Sequence, residues 1–194
     1  CGLRAQIRLN AAELPLPRDA TGATHPGAPL GGYDLNGNGR VDVDDYKDDA
    51  RVKRAFTSCG GLVTAYDLIQ AFSDGTDADG NGYIDDIAGW NFFDNTNDPT
   101  DRSSYFAAAN HGSGRANDAV QKANDGDGDL GTCPHCTFVP MRIWDTFVAD
   151  ANSFCLAISY AADNGVKVIE GADGALYHPA FCNAAVEYAH QKGS

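Results

Sequence analysis

The sequence predicts an α/β fold: a parallel sheet flanked by helices, preceded by a long loop-rich region. Three observations carry this. Residues 138–143 and 166–169 are short apolar runs of strand type. Runs at 151–163 and 180–192 alternate with them at helical spacing. Before about residue 110 regular signals are sparse, and Pro, Gly, Asn and Asp dominate.

In chain order, Pro15, Pro17, Pro26 and Pro29 with Gly22, Gly27, Gly31 and Gly32 make residues 15–33 a loop. Asp44–Phe56 and Thr64–Phe72 are expected to be short helices, and Ala88–Phe92 a short strand. Asp94–Tyr105 is polar and rich in turn residues. Gly112–Ala123 can wind as a helix, and Phe138–Ile143 reads as a strand. Ala151–Asp163 carries Phe154, Leu156, Ile158, Tyr160 and Ala161 and reads as a helix that Asn164–Gly165 ends in a left-handed cap. Val166–Ile169 reads as a buried strand and Ala180–Lys192 as a last helix. Strand, helix and strand with short links make a βαβ unit, hence a parallel sheet with a right-handed crossover. The whole chain is read as part of one domain, loop-rich over 1–110 and α/β over 111–194.

At 194 residues the chain suits one domain and can bury a sizeable core. No apolar run approaches the roughly 18–20 residues of a membrane span. A net charge of −13 excludes a nucleic-acid backbone or an anionic lipid surface as the main partner. Of the 27 acids, 24 are Asp and only Glu13, Glu170 and Glu187 are Glu. Asp favours turns, caps and metal loops over helices. The chain opens at Cys1 without a leader pattern and stops one residue after a helix-ending Gly193, so it is expected to be a slice of a longer protein.

Two loops are built for a hard cation. Asp34-Leu-Asn36-Gly-Asn38-Gly39-Arg40-Val41-Asp42-Val-Asp44-Asp45 follows the twelve-residue calcium-loop pattern. Side-chain oxygens fall at positions 1, 3, 5, 9 and 12, the turn glycine at 6, and the backbone carbonyl of Arg40 at 7. Asp45 replaces the usual Glu and reaches less far. Asp77, Asp79, Asn81, Tyr83 and Asp85 repeat positions 1 to 9, but position 12 is Ala88, so that shell is expected to be completed from elsewhere, by Asp86 or Asp94. Asp125, Asp127 and Asp129 make a third alternating run without the turn glycine. The plain alternative is that Asn-Gly and Asp-Gly are simply good turns.

The six cysteines are compatible with disulfides. Cys133-Pro-His135-Cys136 has redox spacing, but it precedes a strand rather than opening a helix, so a local structural role is expected over zinc binding or thiol chemistry. Cys155 and Cys182, on helical patterns, read as buried small apolar residues.

Of five histidines, His111 stands out. It sits where irregular sequence hands over to a helix, at the positive end of a helix dipole, which favours the neutral imidazole. A neutral imidazole can accept a proton, so the position suits a general base; a turn or capping role is the plain alternative.

Several segments, in order, resemble the subtilisin-like serine peptidases. Gly80-Asn-Gly-Tyr-Ile-Asp-Asp-Ile-Ala-Gly-Trp-Asn-Phe-Phe-Asp-Asn-Thr-Asn-Asp-Pro99 looks like the stretch upstream of the family's histidine motif. His111-Gly-Ser-Gly resembles that motif, HGTH, with Ser113 for its Thr and Gly114 for its second His. Leu130–Ile143 and Ala151–Ile169 are similar to the elements that follow. Glu170–Gly174 falls where the family binds substrate. The likeness covers about residues 80–192 and implies a subtilisin-like sheet, with residues 1–79 as an insertion-rich region. It implies peptide-bond hydrolysis through an acyl-enzyme with His111 as general base. Gly171, Ala172, Asp173 and Gly174 would then offer backbone groups to an extended peptide. The family's aspartate and serine motifs do not occur in these 194 residues, so the isolated chain is expected to be inactive. Calcium as structural cofactor, a peptide or protein substrate, and a secreted or cell-envelope location complete the expectation. The rival readings are a non-catalytic calcium-stabilised extracellular binding module or an inactive peptidase relative and, more weakly, a thiol–disulfide oxidoreductase.

Overall fold

Turns and Asx hydrogen bonds hold more of this backbone than regular elements do. The structure is a computed structural model and describes residues 2–54, 59–102, 110–126, 128–145, 150–172, 174, 177 and 179–194. The regular elements are α1 (Ala65–Phe72), β1 (Trp90–Asn91), α2 (His111–Val120), β2 (Met141–Arg142), α3 (Ala151–Asp163) and α4 (Ala180–Lys192), with short 3-10 turns at Arg4–Gln6, Ala11–Glu13, Leu30–Gly32 and Val43–Tyr46. Packing divides the chain into two units, Cys1–Gly89 with Ala116–Pro140, and Trp90–Arg115 with Met141–Ser194.

In the first unit, Thr64 caps α1 and Asp67 returns the bond to the Thr64 amide, a capping box that fixes the helix start where the sequence places it. The apolar face of α1, Leu68 and Ile69, joins a core of Leu9, Leu14, Val43, Tyr46, Val52, Val63 and Ile87. Tyr46 is fully buried; its hydroxyl donates to the Pro15 carbonyl at 2.9 Å and its ring meets Phe72 at 5.7 Å. The helix expected over Asp44–Phe56 is a correction. Only the 3-10 turn Val43–Tyr46 forms there, and residues 55 and 56 lie outside the described residues. The Asp49 carboxylate accepts the Arg51 and Arg18 amides at 3.0 Å each, so side chains take the place of a helical ladder.

In the second unit, β1 and β2 pair in parallel, Trp90 with Met141 and Asn91 with Arg142. The connection between them contains α2, as a parallel pair requires. Pro140, which lacks an N–H, precedes β2, and the strand expected over Phe138–Ile143 shrinks to Met141–Arg142. Helices α3 and α4 follow the sequence reading residue for residue. They meet along Ala151, Cys155, Ile158 and Ala162 on one side and Cys182, Ala185 and Ala189 on the other, a seam of mostly small residues.

Two expectations fail here. Cys155 and Cys182 are not free apolar fillers but a disulfide across that seam, with Cα atoms 5.3 Å apart; the helix register that buries both brings them within bonding reach. The buried strand expected over Val166–Ile169 does not form: Val168 is 81% exposed. The Val166 amide donates to the Ala161 carbonyl at 2.9 Å, and its own carbonyl accepts the Ser194 hydroxyl at 2.6 Å. These groups close off helix ends, and among the described residues the sheet holds β1 and β2 alone. Ile169 alone of the run packs on the helices.

Candidate functional site

The loop 34–45 is wound on its first carboxylate. Asp34 accepts the Asn38 amide at 3.0 Å and the Gly39 amide at 2.9 Å. Asn36 Oδ1 accepts the Asn38 amide at 3.0 Å, Asn38 Oδ1 accepts the Arg40 amide at 2.9 Å, and Asn38 Nδ2 donates to Asp42 at 2.8 Å. Gly39, at φ 83°, makes the left-handed turn that position 6 demands. Asp45 closes the loop: one oxygen accepts the Asn36 amide at 3.1 Å and the other the Asp42 amide at 2.9 Å. Asp34, Asp42 and Asp45 are all buried. Burial, reinforced by the Asp42 and Asp34 charges, outweighs the two amides and raises Asp45 from its ordinary 3.8 to about 6. The Arg40 guanidinium turns outward from this set to Gln6 Oε1 at 3.2 Å.

The loop 77–86 repeats that winding at its first, third and fifth positions. Asp77 accepts the Asn81 amide at 3.0 Å and the Gly82 amide at 2.8 Å. Asp79 accepts the Asn81 amide at 3.0 Å, and Asn81 accepts the Tyr83 amide at 2.8 Å. Two positions differ. Asp85 accepts the Asp74 and Gly75 amides at 2.9 Å each, and the Asn81 amide group donates instead to Asp86 at 3.0 Å. The closing role falls to Glu13, whose Oε1 accepts the Ala78 amide at 2.8 Å and the Asp79 amide at 3.1 Å. Oxygens of Glu13, Asp77 and Asp79 lie within 4.8 Å of one another, the one group of three potential ligands among the described residues. Burial pushes the Glu13 carboxyl up as well. Asn10 ties the group together, donating to Asp79 at 2.9 Å and to Asp86 at 2.6 Å.

Sequence spacing offers no link to Glu13, 64 residues ahead of Asp77. Its signal was its rarity, a buried Glu in a chain whose acids are nearly all Asp. Asp94, the other residue weighed for this loop, pairs with Asn91 at 2.9 Å and Arg142 at 3.1 Å. Asp127 of the third acidic run lies outside the described residues.

His111 is the first residue of α2, preceded by Asn110 in the left-handed region at φ 63°. Asp101 accepts the Ser113 amide at 2.7 Å and so caps the first turn from outside the helix. The imidazole Nε2 lies 3.0 Å from the Ala172 carbonyl oxygen. A carbonyl only accepts, so Nε2 carries the hydrogen there and Nδ1 is the basic nitrogen of the neutral ring. This contact brings His111 to Ala172, one of the residues 171–174 singled out in the sequence. Gly171 and Ala172 are described; Asp173 lies outside the described residues.

Cys133 and Cys136 are joined in a disulfide with Cα atoms 5.3 Å apart, so neither sulfur serves as a zinc thiolate here. Buried Gln6, which sequence reasoning missed, donates Nε2 to the carbonyls of Pro134 and Cys136 at 2.9 Å each.

No family model matches the chain. It is 34% identical over 113 residues to thermitase of Thermoactinomyces vulgaris, covering 56% of this chain and 37% of that protein. It is 35% identical over 109 residues to a thermophilic serine proteinase of Bacillus sp. (strain AK1), covering 56% of this chain and 26% of that protein. The chain therefore spans about a third of the length of one of these relatives and a quarter of the other. Over the shared stretch, the chain is similar to these two proteins, one of them a serine proteinase by name.

Proposed function

We propose that the chain is part of the catalytic domain of a secreted subtilisin-like serine endopeptidase, with residues 1–79 as a loop-rich insertion. His111 is its general base and then its general acid. The observation that carries this reading is the 3.0 Å approach of His111 Nε2 to Ala172, which joins the two segments the family likeness assigns to proton transfer and substrate binding. In a Ser-His-Asp mechanism Nε2 takes the proton of the nucleophilic hydroxyl. The Ala172 contact must then be exchanged for that hydroxyl, with Nδ1 becoming the protonated nitrogen. Gly171–Gly174 supply backbone groups to an extended peptide or protein substrate.

Calcium is the structural cofactor in this reading. Glu13, Asp77 and Asp79, with Asn81 and the Tyr83 carbonyl, would hold it at the second loop. Asp34, Asn36, Asn38, Asp42, Asp45 and the Arg40 carbonyl would do so at the first. The fit is one of chemistry: hard oxygen donors, several ionised, gathered in tight loops. Bound calcium would neutralise carboxylates that otherwise repel one another. Disulfides Cys133–Cys136 and Cys155–Cys182 support an oxidising, extracellular setting.

The test is His111→Ala in the full-length enzyme. The reading expects kcat to fall by about 10⁴-fold or more with KM little changed. Retention of activity within tenfold would overturn it.

A further inference from the structure

Helix α2 ends without a glycine cap. Its last carbonyls are met by a distant turn. Asp118 accepts from the Thr132 amide at 2.9 Å and the Thr132 hydroxyl at 3.1 Å, Ala119 from the Cys133 amide at 2.8 Å, and Gln121 from the Gly131 amide at 3.1 Å. Val120 accepts from Gln6 Nε2 at 3.0 Å, the same nitrogen that holds the carbonyls of Pro134 and Cys136. Gly131 lies flat on the helix end: a Cβ there would stand 2.2 Å from the Gln121 nitrogen. Residues 131–133 are therefore the cap of α2, and the Cys133–Cys136 bond closes the loop that presents it.

Among the described residues, the Cys133–Cys136 and Cys155–Cys182 disulfides differ in access. Cys155 and Cys182 are each 4% exposed. Cys136 is exposed and Cys133 half-buried, beside an exposed His135. Thiol–disulfide exchange needs a thiolate to reach a sulfur.

We propose that the Cys133–Cys136 disulfide is a thiol-exchange site for low-molecular-weight thiols, and that opening it loosens the cap of α2. A thiolate attacks the Cys136 sulfur and forms a mixed disulfide there; the Cys133 sulfur leaves as a thiolate and takes a proton from water. A second thiolate attacks the small-molecule sulfur of the mixed disulfide. The Cys136 sulfur leaves as a thiolate and takes a proton from water, and the two small thiols leave oxidised as their disulfide. The site is independent of the peptidase reading.

The probe is reduced glutathione on the native 194-residue chain, followed by alkylation and peptide mass mapping. Glutathione adducts or alkylation at Cys136 and Cys133 are expected while Cys155 and Cys182 stay unlabelled. Amide exchange at residues 118–121 should rise by about tenfold on opening. The Cys133→Ser/Cys136→Ser double variant should show the faster exchange without any thiol. Cys133 and Cys136 that stay unlabelled until the chain unfolds would overturn the proposal. So would opening of the bond with exchange at 118–121 unchanged.

Discussion

The loops 34–45 and 77–86 carry the same winding, yet one closes on itself and the other borrows its closing residue. In the first, Asp45 lies within the loop pattern and is buried with Asp34 and Asp42. In the second, Ala88 stands at that position, and Glu13 reaches in from the N-terminal segment. The winding is local, because a carboxylate at position 1 finds the amides at positions 5 and 6 whatever lies outside. Closure is not local. The better match to the sequence pattern is also not the loop that gathers three carboxylates; the imported Glu13 makes that group.

The largest way to sharpen this comparison is calcium itself. Added at about 100 times its Kd, calcium should stabilise the chain by about 2.7 kcal/mol, read as a rise in melting temperature. Glu13→Gln should remove most of that rise while Asp45→Asn leaves a substantial part. A full rise in Glu13→Gln would exclude Glu13 as a ligand.

A comparable effect is expected in chelator, where only the closing bonds count. Asp45→Ala strands the buried Asp42 amide and should cost about 2–3 kcal/mol in urea unfolding. Glu13→Ala uncovers amides of Ala78 and Asp79 that water can reach, and should cost about 1 kcal/mol. Equal costs would break the distinction between a buried closure and an exposed one.

The smallest effect is on pH. Asp45 binds its proton more tightly when folded, with its pKa raised from 3.8 to about 6. Its contribution without calcium is therefore most favourable below pH 4 and is lost as pH rises through 6. Unfolding free energy in chelator should fall across that window, and Asp45→Asn should flatten the slope. A slope unchanged in Asp45→Asn would reject this origin.

Much of the second unit was legible. α3 and α4 declare themselves by apolar spacing and end at Gly165 and Gly193, both in the left-handed region. The Thr64/Asp67 capping box likewise marks α1. Val166–Ile169 misled because three apolar residues in a run of four look the same whether or not a neighbouring strand exists to pair with them. Asp44–Phe56 misled because the side chains of Asp42, just before it, and Asp49, within it, satisfy nearby amides before a helix can.

By itself, the sequence determined what short-range hydrogen bonds decide: the winding of both acidic loops, the starts and stops of α1, α3 and α4, and His111 at the head of a helix. The tertiary structure alone decided what meets across the chain. It brought Glu13 to Asp77 and Asp79, bonded Cys155 to Cys182, capped α2 with residues 131–133, and set His111 against Ala172. The reason is physical. A bond between near neighbours needs only the local backbone to adopt its turn. A bond across 61 or 65 residues forms only after packing has fixed both ends, and no spacing rule encodes it.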